Sequence, residues 1–312
     1  MNGKTIKIGT RGSKLALWQA EQVKKIISGT FPDLSVAIIT MDTLGDKILD
    51  VPLARIGDKG LFTKEIEQAL ISGEIDAAVH SLKDLPTDLP EGLIIGGILP
   101  RGEIRDVLIS KEGKKLNELG PKDRIGTSSL RRKSQLLHFN PDLNMIDIRG
   151  NVGTRIQKMN DGYYDALIMA GAGIIRLGYE NIITEYLDPS VLLPAVSQGA
   201  VAIEIREDDD YISGITELIT DNETWQITMA ERSLLRTLEG GCQVPVGCYC
   251  SKMGKLLEIT GIVASLDGKS FIKKSVKCPI DEASENAVEL ALSILHEGGQ
   301  TILDQIRTGR NE

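Results

Sequence analysis

Aromatic residues and long apolar runs are both scarce in this chain of 312 residues. Phe, Trp and Tyr make up 4% of the sequence, so stacking on aromatic rings is not expected to be its main means of binding a ligand. No apolar run approaches the ~18 residues that a membrane-spanning helix needs. The N-terminal residues lead directly into a strand-like segment, without the apolar core of a signal peptide. We therefore expect a cytoplasmic protein without a membrane partner.

Positive charge is also in deficit. Lys and Arg number 36 against 44 Asp and Glu, which gives a net charge of −8. Because a nucleic-acid-binding domain usually presents a basic face, this balance argues against nucleic acid as a partner. Cysteines are few and lack the Cys-x-x-Cys spacing of a zinc site, so no metal is expected. In a long cytoplasmic chain they are expected to be free thiols; they are Cys242, Cys248, Cys250 and Cys278.

Strand-like and helical patterns alternate along the first two thirds of the chain, which predicts an α/β architecture with mostly parallel sheets. The pattern restarts after Pro100, so two lobes are expected. The strand-like segments are 4–9, 35–40, 75–79, 93–99, 107–109, 124–126, 145–148, 166–170 and 200–205, and the helical ones are 62–71, 128–139 and 152–159. Ser13 offers an N-cap to a further helix that ends at Gly29, with Leu15, Trp18, Val23 and Ile26 expected inward.

A third region begins near Asp221. It combines a helix over 224–238, three strand-like segments and a last helix over 282–296, which is typical of a small α+β domain. The strand-like segments are 244–251, 256–265 and 271–276. Gly240 and Gly241 are expected to stop the first helix. The acidic run 207–210, just before this region, is expected to be a solvated loop.

Cationic side chains recur where predicted strands end or the following helices begin. Open α/β sheets bind their ligands at these ends, so the pattern predicts a ligand with several carboxylates or phosphates. Arg131 and Arg132 oppose the dipole of a helix N-terminus, at a cost of about 0.3–1 kcal/mol each, which an anionic ligand would offset. The alternative is a solvated charged face. The cations are Arg11, Lys83, Arg131, Arg132, Arg149, Arg155 and Arg176.

Two further residues are candidates for chemistry. Asp84, beside Lys83 and just beyond a buried strand, is a candidate catalytic carboxylate; the alternatives are a helix cap and a salt-bridge partner. His80 is expected to be a packed, hydrogen-bonded residue rather than a ligand or base. Cys242 follows Gly240 and Gly241, which would let a bulky group approach, although a lone cysteine usually packs as a small apolar residue.

Seven segments of the chain, taken together, resemble the hydroxymethylbilane synthase (porphobilinogen deaminase) family. They follow one another in order between about residue 6 and residue 250, and several are long and specific. They are Thr10–Gln19 (TRGSKLALWQ), Gly60–Glu65 (GLFTKE), Ala78–Pro86 (AVHSLKDLP), Gly126–Arg132 (GTSSLRR), Arg149–Arg155 (RGNVGTR), Leu193–Val196 (LPAV) and Glu239–Pro245 (EGGCQVP).

The resemblance implies a fold of two lobes like those of periplasmic binding proteins, plus a small α+β C-terminal domain. Domain 1 would comprise residues 1–99 and 200–217, domain 2 residues 100–199, and domain 3 residues 218–312. The family joins four porphobilinogen units on a dipyrromethane cofactor, which a thioether would attach to Cys242, and water then releases hydroxymethylbilane. A monomer is the family expectation.

The resemblance also implies roles for individual residues. Asp84 would be the catalytic carboxylate, accepting pyrrole N–H bonds and stabilising the cation formed when ammonia leaves. The cofactor would be held by Cys242, Lys83, Thr127, Ser128, Ser129, Arg131, Arg132 and Arg155. Substrate binding would involve Arg11, Ser13, Gln19, Arg149, Arg155, Arg176 and Gln198.

Three positions depart from the usual family pattern: Leu44, Arg55, and Ser197, which stands where Gly is usual before Gln198. The last puts in question the geometry around Gln198. Two other functions were weighed. A non-catalytic anion-binding protein could use the same two lobes but would not need Cys242 or the third domain, and a regulatory or nucleic-acid-binding protein is disfavoured by the acidic balance.

Overall fold

The computed structural model of the chain describes residues 5–47, 60–238 and 244–309. Among these residues, the chain forms two compact units. The first comprises 5–47, 60–102 and 199–225, and the second comprises 103–198, 226–238 and 244–309. We call the first unit lobe 1, residues 103–198 lobe 2, and residues 226–309 of the second unit the C-terminal domain. The predicted boundaries of three separate domains stay a prediction.

The described strands are β1 (Thr5–Arg11), β2 (Ser35–Met41), β3 (Ala77–Ser81), β4 (Leu93–Ile98), β5 (Asp106–Ser110), β6 (Arg124–Gly126), β7 (Asn144–Ile146), β8 (Ala166–Ala170), β9 (Glu185–Tyr186), β10 (Val201–Arg206), β11 (Val246–Met253), β12 (Leu256–Ala264) and β13 (Phe271–Pro279). The described α-helices are α1 (Lys14–Thr30), α2 (Leu44–Lys47), α3 (Lys64–Ile71), α4 (Leu130–Phe139), α5 (Val152–Asn160), α6 (Gly171–Arg176), α7 (Asp210–Leu218), α8 (Asn222–Thr237), α9 (Ala283–Ile294) and α10 (Gln300–Thr308).

Each of the two lobes contains a five-stranded sheet. In lobe 1 the order is β2-β1-β3-β10-β4, and in lobe 2 it is β7-β6-β8-β5-β9. The first three strands of each sheet run parallel, whereas β10 and β5 run antiparallel to both of their neighbours. Four of the five strands in each sheet therefore point the same way, in agreement with the prediction of mostly parallel sheets, and the reversed strands β10 and β5 are what the prediction did not include.

The lobe 1 sheet is covered on both faces, which explains the near-continuous apolar runs of its strands. One face packs Val79, Ile203 and Ile205 against residues of α1 and α7. On the other face, Ala78 packs with the apolar residues of α3. Such burial on both sides makes any polar side chain within these strands conspicuous, because it lies in a dry environment.

The C-terminal domain is an antiparallel sheet, β11-β12-β13, with three helices packed on it. Its core joins apolar residues of β11 and β12 to α8, α9 and α10, including Leu234, Ala291 and Leu303. With the two lobes, this domain confirms the predicted fold class of two α/β lobes and a small α+β C-terminal domain.

Several local predictions need correction. The buried positions of α1 are Ala16, Gln19, Ala20, Val23 and Ile27, so its inward face is rotated from the predicted one. The acidic run is a loop only in part, because its last residues start a helix that the sequence analysis missed, α7, whose N-cap is Asp209. Helices α6 and α10 were also missed. The predicted stop at Gly240 and Gly241 lies outside the described residues.

Candidate active site

In lobe 1, the predicted functional residues follow the carboxyl ends of two neighbouring strands. Arg11 is the last residue of β1, and Lys83 and Asp84 belong to a single 3₁₀ turn, Leu82–Asp84, directly after β3. β1 and β3 pair in parallel, so their carboxyl ends lie at the same edge of the sheet. This is the edge at which open α/β sheets bind ligands, as the sequence analysis expected.

Asp84 presents an exposed carboxylate at this edge. Within the described ranges 5–47, 60–238 and 244–309, that carboxylate makes no hydrogen bond or ion pair. A helix cap and a salt bridge, the alternative roles for Asp84, are therefore not seen in this part of the chain. Such a carboxylate can accept hydrogen bonds from a ligand without first breaking an internal one.

The other lobe 1 candidates make contacts within the lobe. The guanidinium carbon of Arg11 lies 4.2 Å from the ring centre of Phe62, a cation–π distance. Ser13 caps α1, its hydroxyl accepting from a backbone N–H. The buried Gln19 donates from Nε2 to Ser81 Oγ at 2.8 Å and so ties α1 to the end of β3. For Ser13 and Gln19, a role in substrate binding stays a prediction.

In lobe 2, three hydroxyl residues shape the turn between β6 and α4. Thr127 Oγ1 accepts from the Ser129 N–H at 3.3 Å. Ser128 Oγ donates to the Ile148 carbonyl at 2.7 Å and accepts from its N–H at 2.9 Å. Ser129 is the N-cap of α4 and accepts from the N–H of Arg132. These contacts fix the N-terminus of α4 at the carboxyl end of β6, where an anion is favoured.

Arg131 and Arg132 are buried and share one carboxylate, that of Asp106. Nη2 of Arg131 lies 2.8 Å from Oδ2 of Asp106, and Arg132 donates to Oδ1 from Nε at 3.0 Å and from Nη2 at 2.7 Å. Each guanidinium also donates to a backbone carbonyl, Arg131 to Leu193 and Arg132 to Ile168. Burial lowers the pKa of Arg131, while the Asp106 charge acts in the opposite direction.

The contacts with Asp106 change what the helix dipole implies about a ligand. Part of the cost of placing two cations at the α4 N-terminus is offset by Asp106 and not by a ligand. Among the described residues, Asp106 is the carboxylate that pairs with both guanidiniums, which leaves this buried group with one net positive charge. Because an uncompensated buried charge is costly, the site favours the arrival of a further anion.

Asp106 is a residue that the sequence analysis missed. It is fully buried at the first position of an apolar strand, β5. A charged residue that opens an apolar strand is a detectable signal, since buried carboxylates require partners. Gln198 belongs to the same group: its Nε2 donates to Asp106 Oδ1 at 3.1 Å and to the Ile104 carbonyl at 2.8 Å. Its predicted role in substrate binding stays a prediction.

The departure from the family pattern at Ser197 has a visible consequence. Ser197 has φ of 60°, a left-handed conformation that favours glycine, and it is the positive-φ residue other than Gly among the described residues. Its N–H donates to Oε2 of the buried Glu231 at 2.6 Å. The other oxygen of Glu231 accepts from the Cys250 N–H at 3.1 Å. Glu231, also missed from sequence, thus joins the segment before Gln198 to strand β11.

The remaining predicted cations follow β7 and β8. Arg149 lies after β7, Arg155 in α5, and Arg176 in the last turn of α6. Arg155 Nε donates to the Gly150 carbonyl at 2.7 Å. Burial lowers the pKa of Arg149, and it lowers the pKa of Arg176 to about 10. Partial loss of hydration makes an anionic partner more favourable for both side chains.

Cys242 lies outside the described residues. The three cysteines that are described, Cys248, Cys250 and Cys278, are buried and form no disulfide with one another, and burial raises the pKa of the Cys278 thiol. In the described ranges, His, Cys, Asp and Glu side chains form no group of three that could hold a metal ion. The helices described here include none that combines the length and apolarity of a membrane span.

The donor set suits a ligand with several carboxylates. At the carboxyl edge of the lobe 2 sheet it combines the N-termini of α4 and α5, partly dehydrated guanidiniums and a buried group with excess positive charge. A dipyrromethane, which carries acetate and propionate groups, fits these donors by charge. Lobe 1, at the carboxyl edge of its own sheet, presents a half-buried lysine, Lys83, and the exposed carboxylate of Asp84.

Comparison with known proteins gives the family. The profile described as "Porphobilinogen deaminase, dipyromethane cofactor binding domain" matches residues 6–214, and that described as "Porphobilinogen deaminase, C-terminal domain" matches residues 225–296. The chain is 49% identical to the porphobilinogen deaminase of Desulforamulus reducens over 97% of this chain and 98% of that protein. It is 48% identical to that of Chlorobaculum tepidum over 98% and 99%.

The sequence identity to a solved structure is much lower than the identity to these relatives. The probable amino-acid ABC transporter extracellular-binding protein ytmK from Bacillus subtilis is 11% identical, with a TM-score of 0.42 over 70% of this chain and 90% of that one. The family profiles and the relatives, in contrast, span nearly the whole sequence. The chain belongs to the porphobilinogen deaminase family.

Proposed function

We propose that the chain is a hydroxymethylbilane synthase, a transferase of porphyrin biosynthesis. It joins four porphobilinogen units into a linear tetrapyrrole, releases ammonia at each addition, and frees hydroxymethylbilane by reaction with water. Besides family membership, the observation that carries this proposal is the buried pair of guanidiniums with a single carboxylate between them. Their excess positive charge suits a substrate that bears two carboxylates on each pyrrole.

The alternative, a non-catalytic anion-binding protein, explains the cations alone. It gives no reason for the C-terminal domain, nor for an exposed, unengaged carboxylate among cations. Binding of an anion would be opposed by the charge of Asp84, whereas a reaction that passes through a cation gains from it. We therefore favour the enzyme.

Asp84 is the residue we assign to the chemistry. Its carboxylate accepts hydrogen bonds from the pyrrole N–H of porphobilinogen and stabilises the positive charge that develops as ammonia leaves. We also assign to it the movement of a proton at the reacting ring. Arg11, Arg149 and Arg176 bind the acetate and propionate groups of the substrate and of the growing chain.

The cofactor of this reaction is a dipyrromethane, which supplies the primer pyrrole when bound. We assign its covalent attachment to Cys242 through a thioether, and the binding of its carboxylates to Lys83, Arg131, Arg132 and Arg155, with Thr127, Ser128 and Ser129 shaping the helix N-terminus. We further propose that the enzyme is a cytoplasmic monomer.

The attachment site is tested by intact mass. The purified protein is expected to be heavier than its sequence by two pyrrole units and to colour with a reagent for pyrroles. Cys242→Ser should lose this added mass. Cys248→Ser and Cys250→Ser are the matched controls, because both thiols are buried in the C-terminal domain. An adduct that persists on Cys242→Ser would move the attachment elsewhere.

The role of Asp84 is tested by two substitutions with opposite expectations. Asp84→Asn keeps hydrogen bonding in part but loses the charge, so turnover should fall by about 10²–10⁴. Asp84→Glu keeps the charge at a displaced position and should retain more activity than Asp84→Asn. Both are compared as cofactor-loaded protein. If Asp84→Asn turned over porphobilinogen faster than Asp84→Glu, the catalytic role would belong to another residue.

A further inference from the structure

A buried polar cluster lies under α3 in lobe 1, apart from the residues assigned above. His80 on β3 and Glu204 on β10 are both buried, and Nε2 of His80 lies 3.1 Å from Oε2 of Glu204. Glu67 on α3 is buried beside them, and its pKa is raised by burial and, further, by the Glu204 charge. Glu65, also on α3, accepts from the Leu44 N–H at 2.9 Å.

The cluster is costly for the fold, which calls for a reason. Glu204 is fully buried between Ile203 and Ile205 on β10, and a buried carboxylate without cationic partners destabilises a protein. In the described part of the chain, neither lysine nor arginine pairs with it, and His80 is its ion-pair partner. An apolar residue would fill the same place at lower cost, so a specific function for the pair is indicated.

The geometry connects the pair to the end of β3. β3 and β10 are antiparallel, with His80 opposite Ala202 and Glu204 opposite Ala78, so the two side chains meet diagonally across neighbouring strands. The pairing of β10 with β4 shifts register between Ile203 and Glu204, an irregularity of the kind that re-aims side chains near functional sites.

Two residues between His80 and Asp84 make contacts that anchor this segment. Ser81 accepts a hydrogen bond from Gln19 at 2.8 Å. Leu82 is fully buried, and its N–H donates to the Ala200 carbonyl at 3.1 Å. Asp84, two residues on, is exposed. Before that turn, the ion-pair contact of 3.1 Å between His80 and Glu204 connects the side chains of β3 and β10.

We propose that His80 and Glu204 are positioning residues for the reaction: their buried pair fixes the carboxyl end of β3 and thereby the placement of Asp84. Glu67 on α3 is buried beside the pair and completes the cluster. This inference rests on the catalytic role proposed for Asp84. His80 does not touch the substrate and acts through the strand that carries that residue.

The test is a double-substitution cycle on cofactor-loaded enzyme. Glu204→Gln keeps the shape of the side chain, and kcat should fall about tenfold to hundredfold while KM for porphobilinogen changes less than about threefold. In an Asp84→Asn background, the same substitution should lower kcat less than about threefold, because the placement of the lost carboxylate no longer matters. The control is Ile203→Val, on β10 but facing the other side of the sheet, which should lower Tm without changing kcat.

Three results would overturn the proposal or its basis. A wild-type kcat per cofactor-loaded molecule in Glu204→Gln would reject the positioning role. An equal loss of kcat with and without Asp84 would show that the pair acts by another route. If instead Asp84→Asn itself kept full activity, the assignment of Asp84 would fail, and this outcome is separate from the first two.

His80→Gln repeats the cycle from the other partner if Glu204→Gln does not fold. A measurement without substitution in the cluster is also available, because the chain has three histidines and their imidazole nitrogens can be resolved by ¹⁵N NMR. On the holoenzyme, Nε2 of His80 should carry a slowly exchanging proton at neutral pH, unlike His296. Absence of a proton on Nε2 of His80 would overturn the pairing.

Discussion

Replacement of Asp106 tests how the buried arginine pair is compensated. In Asp106→Asn, Arg131 and Arg132 keep their contacts to backbone carbonyls but lose the carboxylate that both share. Breaking a buried pair by removal of one partner costs about 3–5 kcal/mol, because the charge left behind stays buried. For a chain of this size we expect a Tm lower by on the order of 10 °C.

The same substitution separates the internal role of the arginines from their role in cofactor binding. In the Cys242→Ser background, which is expected to lack the cofactor, the full loss should appear. With the cofactor attached, its carboxylates can pair with Arg131 and Arg132, so the loss from Asp106→Asn should be smaller. The comparison requires thermal melts of the parent, Asp106→Asn, Cys242→Ser and the double variant, with cofactor content measured by intact mass.

Asp165 provides the matched control in the same lobe. It pairs with Arg124, whose side-chain hydrogen bonds lower the pKa of Asp165 to about 2. Both side chains of this pair are more than a third exposed, so Asp165→Asn should cost about 1 kcal/mol or less. If Asp106→Asn were no more destabilising than Asp165→Asn, the argument from buried charge would be refuted.

Two further substitutions test local features. The pKa of Glu67 is raised in the folded chain from its ordinary value of 4.5. The contribution of Glu67 to stability is therefore complete below pH 4.5 and is lost as pH rises through the raised pKa. The Tm of Glu67→Gln relative to the parent should increase with pH, and a difference independent of pH would contradict this. Ser197→Gly relieves the left-handed backbone at φ of 60° and removes a buried hydroxyl that has no hydrogen-bond partner among the described residues. We therefore expect stabilisation of about 1 kcal/mol and a higher Tm. A lower Tm would show that the conformation is not strained.

Much of the site could be predicted from local sequence because its residues are tied to strand ends. Arg11, Lys83 and Asp84 follow strands that alternate or run apolar, and parallel strands bring their carboxyl ends to one edge. Ser129 was expected in the cap of α4, and it is the N-cap. The packed position expected for His80 is confirmed, since it lies buried beside Glu204, whereas a hydrogen bond from its Nε2 is not seen among the described residues.

The errors have a common physical origin in contacts between distant segments. The direction of β10 and β5 depends on the path of the chain after it leaves one sheet, which a local pattern does not record. The inward face of α1 is set by the surface on which it packs, so Gln19 is buried against Ser81 while Leu15 and Trp18 are only partly buried.

The sequence by itself determined the elements, their order and the family motifs, because helix caps, apolar periodicity and strand-end residues are local properties. Only the tertiary structure decided which charges share a partner. Asp106 meets Arg131 and Arg132 across at least 25 positions, and Glu204 meets His80 across 124. Charges buried in this way are stable only where chain segments far apart in sequence supply each other's counter-charge.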